Sequence, residues 1–356
     1  MMTKPLMILT SLAVLVACGG QKTAVHPQAM RPSLEDFVWS GDSGIGGGKE
    51  TGEPANCRDH IKGSLCLVDG MGDGDQTQCQ DGGMAYASPF EALYDAYPPA
   101  VQKMFCSLKV IYIMREFGGT AFGGLLEDAN GNITGAQMGI RKSLLDENLD
   151  LHTWASWKEQ LSFGGVKDSY TLRSDLPHAK TSTAKKNVND FLYFVVAHEF
   201  GHMFDFSNHL NRLENCSEPS DPNAEPECEM AAGSWGSLSW KTSLSPHQEN
   251  DFLNRSGLCF YFCDGNTLAK SVIPALYADL YDRTSFLSAY AATDAWQEFA
   301  DSLAYYLMHK YFGNSYVLDT KQGQQYDVMA KTGSTEFSRH YQYIEDFLTR
   351  SDIVYP

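Results

Sequence analysis

Seven apolar residues, Phe191 to Ala197, run directly into His198-Glu199-Phe200-Gly201-His202. With Asn189 or Asp190 at its start, this stretch predicts a helix with almost no polar face, and such a helix is a buried one. A second helical stripe follows at Trp296, Phe299, Ala300, Leu303, Ala304 and Leu307, with Thr293 or Asp294 as its cap. Upstream, Pro98-Pro99 begins a short helix through Cys106, and Lys109 to Met114 reads as a strand. Ala121 to Leu126, the pair Asn130-Gly131 and Ile133 to Arg141 predict a β-hairpin with a tight turn. Leu151 to Leu161 reads as helical, as does Ile273 to Leu287. Leu213 to Pro226 reads as a polar loop. The pattern is that of an α+β protein whose folded part starts near Ser88.

The buried helix carries chemistry. Two histidines four residues apart point to one side of a helix, about one turn apart, and can grip one zinc ion. Glu199, beside the first, is placed to act as a general base toward water. The bland alternative is a pair of core histidines with a capping glutamate. Against it, two histidines and a glutamate in a buried helix are costly unless a metal or hydrogen bonds satisfy them.

The resemblance extends beyond HEFGH. Together with Tyr290-Ala291-Ala292 and Trp296-Gln297-Glu298-Phe299-Ala300-Asp301, it resembles the zincin metallopeptidases. It is most similar to the gluzincin-like group that includes anthrax lethal factor and the Pro-Pro endopeptidases. The resemblance implies a zincin-like catalytic domain over 107–356, with a twisted sheet and an active-site helix. It implies one zinc ion, His198 and His202 as ligands, Glu199 as general base and Tyr290 as the phenol that stabilises the oxyanion. The third ligand stays open. Register places it on Gln297, whereas ligand chemistry favours Glu298, because a neutral amide oxygen is a poor substitute for a carboxylate on zinc. Glu298 is rotated about 100° from Gln297 around the helix. Asp301 would orient a ligating histidine, or serve as a fallback ligand. The metzincin pattern fits worse, since Asp205 and Asn208 stand where it needs glycine and histidine, and His209 comes one place late. A strand of the hairpin region would edge the cleft and pair with an extended substrate. The alternative is a hairpin buried in an ordinary sheet.

The first residues change the picture of location. Lys4, the apolar Leu6 to Val16 and Leu15-Val16-Ala17-Cys18 resemble a bacterial lipoprotein signal. Residues 1–17 would be removed, Cys18 acylated, and 18–56, rich in Gly, Pro and Ser/Thr, would form a flexible tether. Gly19 after the cysteine favours the outer membrane, by resemblance to enterobacterial sorting rules. The remaining eight cysteines form an even set, which in an exported protein implies disulfides. Four precede the histidine helix and four follow it, suggesting two separate sets of bridges, with Cys216 to Cys228 one guess. Residues 57–106 are expected to form a disulfide-rich N-terminal segment. The Asp/Gly run from Gly70 to Gly83 lacks the spacing of a calcium-binding EF-hand and reads as a stapled loop.

A net charge of -17 argues against nucleic acid, whose phosphates would be repelled. The expectation is a monomeric, envelope-anchored zinc endopeptidase acting on protein or peptide. Two alternatives remain. One is a non-catalytic surface lipoprotein that keeps a zincin-like fold for binding, and the other a peptidase of cell-wall cross-bridges.

Overall fold

The structure, a computed structural model, describes residues 54–70, 79–128, 130–167, 169–183, 185–217, 226–243, 245–261 and 267–356. The expected signal segment, Cys18 and most of the expected tether lie outside these residues. So does most of the Asp/Gly run.

The chain enters with helix α1 (Pro54–Ser64) and strand β1 (Leu65–Val68), then helices α2 (Ala87–Ala96), α3 (Pro99–Gln102) and α4 (Met104–Ser107). Next come β2 (Leu108–Met114), β3 (Ala121–Glu127), β4 (Ile133–Arg141), α5 (Lys142–Asp146), α6 (Leu151–Leu161) and β5 (His178–Ser182). The long α7 (Asp190–Asn208) precedes β6 (Leu213–Glu214), β7 (Glu229–Met230), α8 (Ile273–Arg283) and α9 (Ala295–Leu307). Last are β8 (Ser315–Asp319), β9 (Gln325–Asp327), α10 (Val328–Thr332) and α11 (Ser338–Thr349). The mixed helix and sheet content is that of an α+β protein.

The main sheet has the order β1-β2-β4-β3. Its first three members are parallel, and β3 runs antiparallel to β4 at one edge. The hairpin expected from Asn130-Gly131 is therefore present, with Gly131 at φ 82, a conformation that glycine adopts without steric cost. Helix α7 lies against β3. There is no room for a side chain at Gly123, since a Cβ would sit 2.7 Å from the Glu199 carbonyl oxygen. Helix α6 packs on α7 through Trp154, whose ring lies 5.5 Å from Phe191 and 5.6 Å from Phe194. Each such buried aromatic contributes roughly 2–3 kcal/mol of apolar transfer.

Helix α1 at Pro54 precedes Ser88, where the folded part was expected to start, and overlaps the end of the expected tether. Residues 57–106 hold two disulfides, as expected of a disulfide-rich segment, and also share the main sheet, because β1 pairs in register with β2, Leu65 opposite Ile111. A four-residue buried strand fixed by partners beyond its own sequence leaves little local pattern to read. Helix α8 stops at Arg283, because Thr284 turns extended and its hydroxyl caps the Leu280 carbonyl at 2.6 Å.

Disulfides Cys57–Cys106, Cys66–Cys79 and Cys216–Cys228 keep within the two expected sets. Cys259 is disulfide-bonded as well. The final residues fold back on α7. Val354 exchanges backbone bonds with the Asn208 side chain at 2.9 and 3.0 Å, and Tyr355 packs on Phe204 while its hydroxyl donates to the Ala100 carbonyl. Among the described residues, no helix is long and apolar enough to cross a membrane.

Candidate functional site

Helix α7 starts as its sequence dictates: Asn189 caps it, accepting from the Leu192 amide at 2.9 Å. It ends at His209, in the left-handed conformation at φ 51, so His209 is a helix terminator. Between these ends the helix is buried on nearly all sides, which leaves His198 and His202 at 3% exposure and Glu199 at 1%. Helix α9 is capped by Asp294, which accepts from the Gln297 amide at 2.8 Å. The two helices cross where both are small. A Cβ on Gly201 would lie 2.6 Å from the Ala300 Cα, so the backbones approach to contact. That crossing sets residues 198 and 202 opposite residues 297 and 301.

The consequence is a defined polar geometry. His198 donates through Nδ1 to Asp301 Oδ1 at 2.7 Å, which leaves its Nε2 with a lone pair. The His202 Nε2 lies 3.2 Å from that Nε2, with the two rings nearly perpendicular at 85°. Two imidazole nitrogens each bound to one tetrahedral zinc at its usual bond length stand about 3.3–3.4 Å apart. Burial, and then the neighbouring His198, push the His202 imidazole well below its ordinary range, so it is a neutral donor.

Asp301 accepts a second bond from Ser288 Oγ at 2.5 Å, and the Lys158 ammonium lies 3.8 Å from its Oδ1. Burial alone would raise this carboxyl. The lysine charge and the bonds from His198 and Ser288 outweigh it and hold the group at about 2. Asp301 thus occupies the Nδ1 edge of His198, away from Nε2. There it orients the ring.

Glu298 is placed differently. It is fully buried, yet its carboxylate faces the other side of α9. There it accepts from Ser239 Oγ at 2.5 Å and Trp240 Nε1 at 2.9 Å, with His340 Nε2 at 3.4 Å. Both oxygens are committed to this cluster. Gln297 instead lies against His202 and acts on that ring as an acceptor, raising its basicity somewhat. Its amide oxygen is buried and completes no hydrogen bond of normal geometry. Tyr290 is brought in as well, its ring 5.8 Å from that of His198 and edge-on to Phe260 at 4.9 Å.

Sequence reasoning missed Lys158, Ser288 and Glu159. The signal for Lys158 was its place four residues after Trp154, on the face that α6 turns toward α7. Glu159 is held by the Tyr277 hydroxyl at 2.5 Å, and burial pushes its carboxyl up to about 7. Among the described residues, no three His, Cys, Asp or Glu side chains converge as a metal cage. No family model, curated protein or solved structure matches this chain.

Proposed function

We propose that this chain is a zinc-dependent peptidase, anchored to the bacterial cell envelope, that hydrolyses protein or peptide. The observation that carries this reading is the pair of Nε2 atoms 3.2 Å apart, with His198 oriented by a buried carboxylate. The same contact is a hydrogen bond between the two rings, which a bound ion would replace. The donors fit the ion: His198 and His202 would hold it through Nε2, and the amide oxygen of Gln297, which acts on His202 as an acceptor, is the third donor beside it. Bound there, zinc would supply Lewis acidity toward a peptide carbonyl and lower the pKa of water.

The protein's own groups do the rest. Glu199 takes the proton of the attacking water and passes it to the leaving amine. The Tyr290 hydroxyl donates to the oxyanion as it develops, a contribution of about 3 kcal/mol for a well-placed donor. Asp301 keeps His198 in the tautomer that presents Nε2. The edge strand β3, which packs against α7 at Gly123, offers backbone groups to an extended peptide.

The test is metal content and cleavage in the purified domain. About one zinc per chain, casein or peptide-library cleavage, and near-total loss of cleavage in Glu199→Gln with zinc retained are expected. Parent-rate cleavage by Glu199→Gln would defeat the mechanism. Gln297 favours a second reading. A donor set with no anion holds zinc weakly, as suits a binding lipoprotein with a disused centre. No zinc and no cleavage would establish that reading instead.

A further inference from the structure

Lys158 stands behind the histidine pair. Its side chain is 8% exposed, and its ammonium lies 3.6 Å from the centre of the Tyr290 ring and 5.0 Å from that of Trp154. The same ammonium is 3.8 Å from Asp301 Oδ1. One cation therefore touches both the aromatic face of the candidate oxyanion donor and the carboxylate that orients His198. Stability alone does not explain such a group, because replacing a buried ion pair with apolar side chains is often neutral or stabilising.

We propose that Lys158 is a positioning residue that locks Asp301 and Tyr290 into one unit behind the histidines; its catalytic consequence rests on the peptidase reading. The ammonium pins the Tyr290 ring by its face, which fixes the direction of the hydroxyl. A cation on a phenol face also stabilises negative charge on the ring oxygen, so the hydroxyl becomes a stronger donor to an oxyanion. Near Asp301, the same charge tempers how much electron density the carboxylate lends to His198. Toward a divalent ion it is repulsive. Lys158 thus gives up metal affinity in exchange for a better-aimed and more acidic site.

The test compares the parent with Lys158→Met and Lys158→Arg. In metal-free protein carrying isotope-labelled tyrosine, the NMR signal of Tyr290, assigned with Tyr290→Phe, reads the clamp directly. It should shift in K158M and stay near its parent position in K158R. Zinc competition should show K158M binding about tenfold more tightly, since one repelling charge is gone. Its kcat should fall about tenfold or more with KM unchanged, and K158M with Tyr290→Phe should be less than additive. A merely structural lysine would weaken zinc and activity together. An unmoved Tyr290 signal, or zinc affinity that falls in K158M, overturns the inference. If the parent takes up no zinc and cleaves nothing, the peptidase reading fails, while the Tyr290 signal still decides the clamp. If K158M does not fold, Lys158→Gln, also uncharged, carries the same comparisons.

Discussion

Gln297 and Glu298 are neighbours in sequence and opposites in role. Glu298 carries the charge that zinc chemistry favours, but its oxygens are saturated by Ser239, Trp240 and His340. Gln297 carries no charge, and its buried amide oxygen has no completed hydrogen bond beside His202. One turn of α9 thus holds a structural carboxylate and a chemically idle amide, separated by the rotation of one residue. The lesson is that satisfaction, more than residue type, distinguishes a group that holds the fold from one that is available to a ligand.

The largest effect should come from the satisfied side. Glu298→Ala strips a fully buried network of its acceptor and should cost about 3–5 kcal/mol in urea unfolding. Gln297→Ala should cost far less, and equal costs would erase the contrast. Next, Gly201→Ala forces α7 off α9 at the Ala300 contact and should cost about 1–3 kcal/mol, with weaker zinc binding because the histidines move from their partners. Third, Gln297→Glu sharpens the comparison by placing an anion on the idle side. Zinc affinity by competition should rise about tenfold or more, and an unchanged value would show that position 297 does not reach the ion.

The smallest effect is a pH dependence behind the site. Glu159 and Asp205 are pushed up to about 7 by burial. A carboxyl raised above its unfolded value binds more protons when folded, so its contribution is full below about pH 4 and lost as pH rises through 7. Glu159→Gln, which removes one such group, should raise the melting temperature by a few degrees at pH 8 and little at pH 5. Thermal unfolding at the two pH values checks the sign.

Much of this was legible because local chemistry and tertiary structure agree. The Asn189 and Asp294 caps, the apolar run into HEFGH and the Asn130-Gly131 hairpin each satisfy their own backbone, so pattern suffices. Helical periodicity put Gln297 and Asp301 on one face and Glu298 on another, and the crossing follows that division. What remained illegible depends on distant partners. Strand β1 is defined by pairing with β2, and the β5-β8-β9 sheet joins segments far apart in sequence. The residues that hold Glu298, Ser239, Trp240 and His340, lie far from it in sequence and gave no local signal of that contact. Lys158 drew no reading from the sequence, because the Tyr290 ring that covers it comes from far along the chain.

The fold-back of the last residues has a mechanical corollary. Val354 and Tyr355 tie the end of α7 to the Ala100 carbonyl in α3, so the histidine-bearing rod is tethered at its far end as well as gripped along its length. Anything that lifts this tail, whether trimming by an exopeptidase or a bulky fusion, would slacken the rod by its free end. The two histidine rings would then feel an alteration in residues that never come near them.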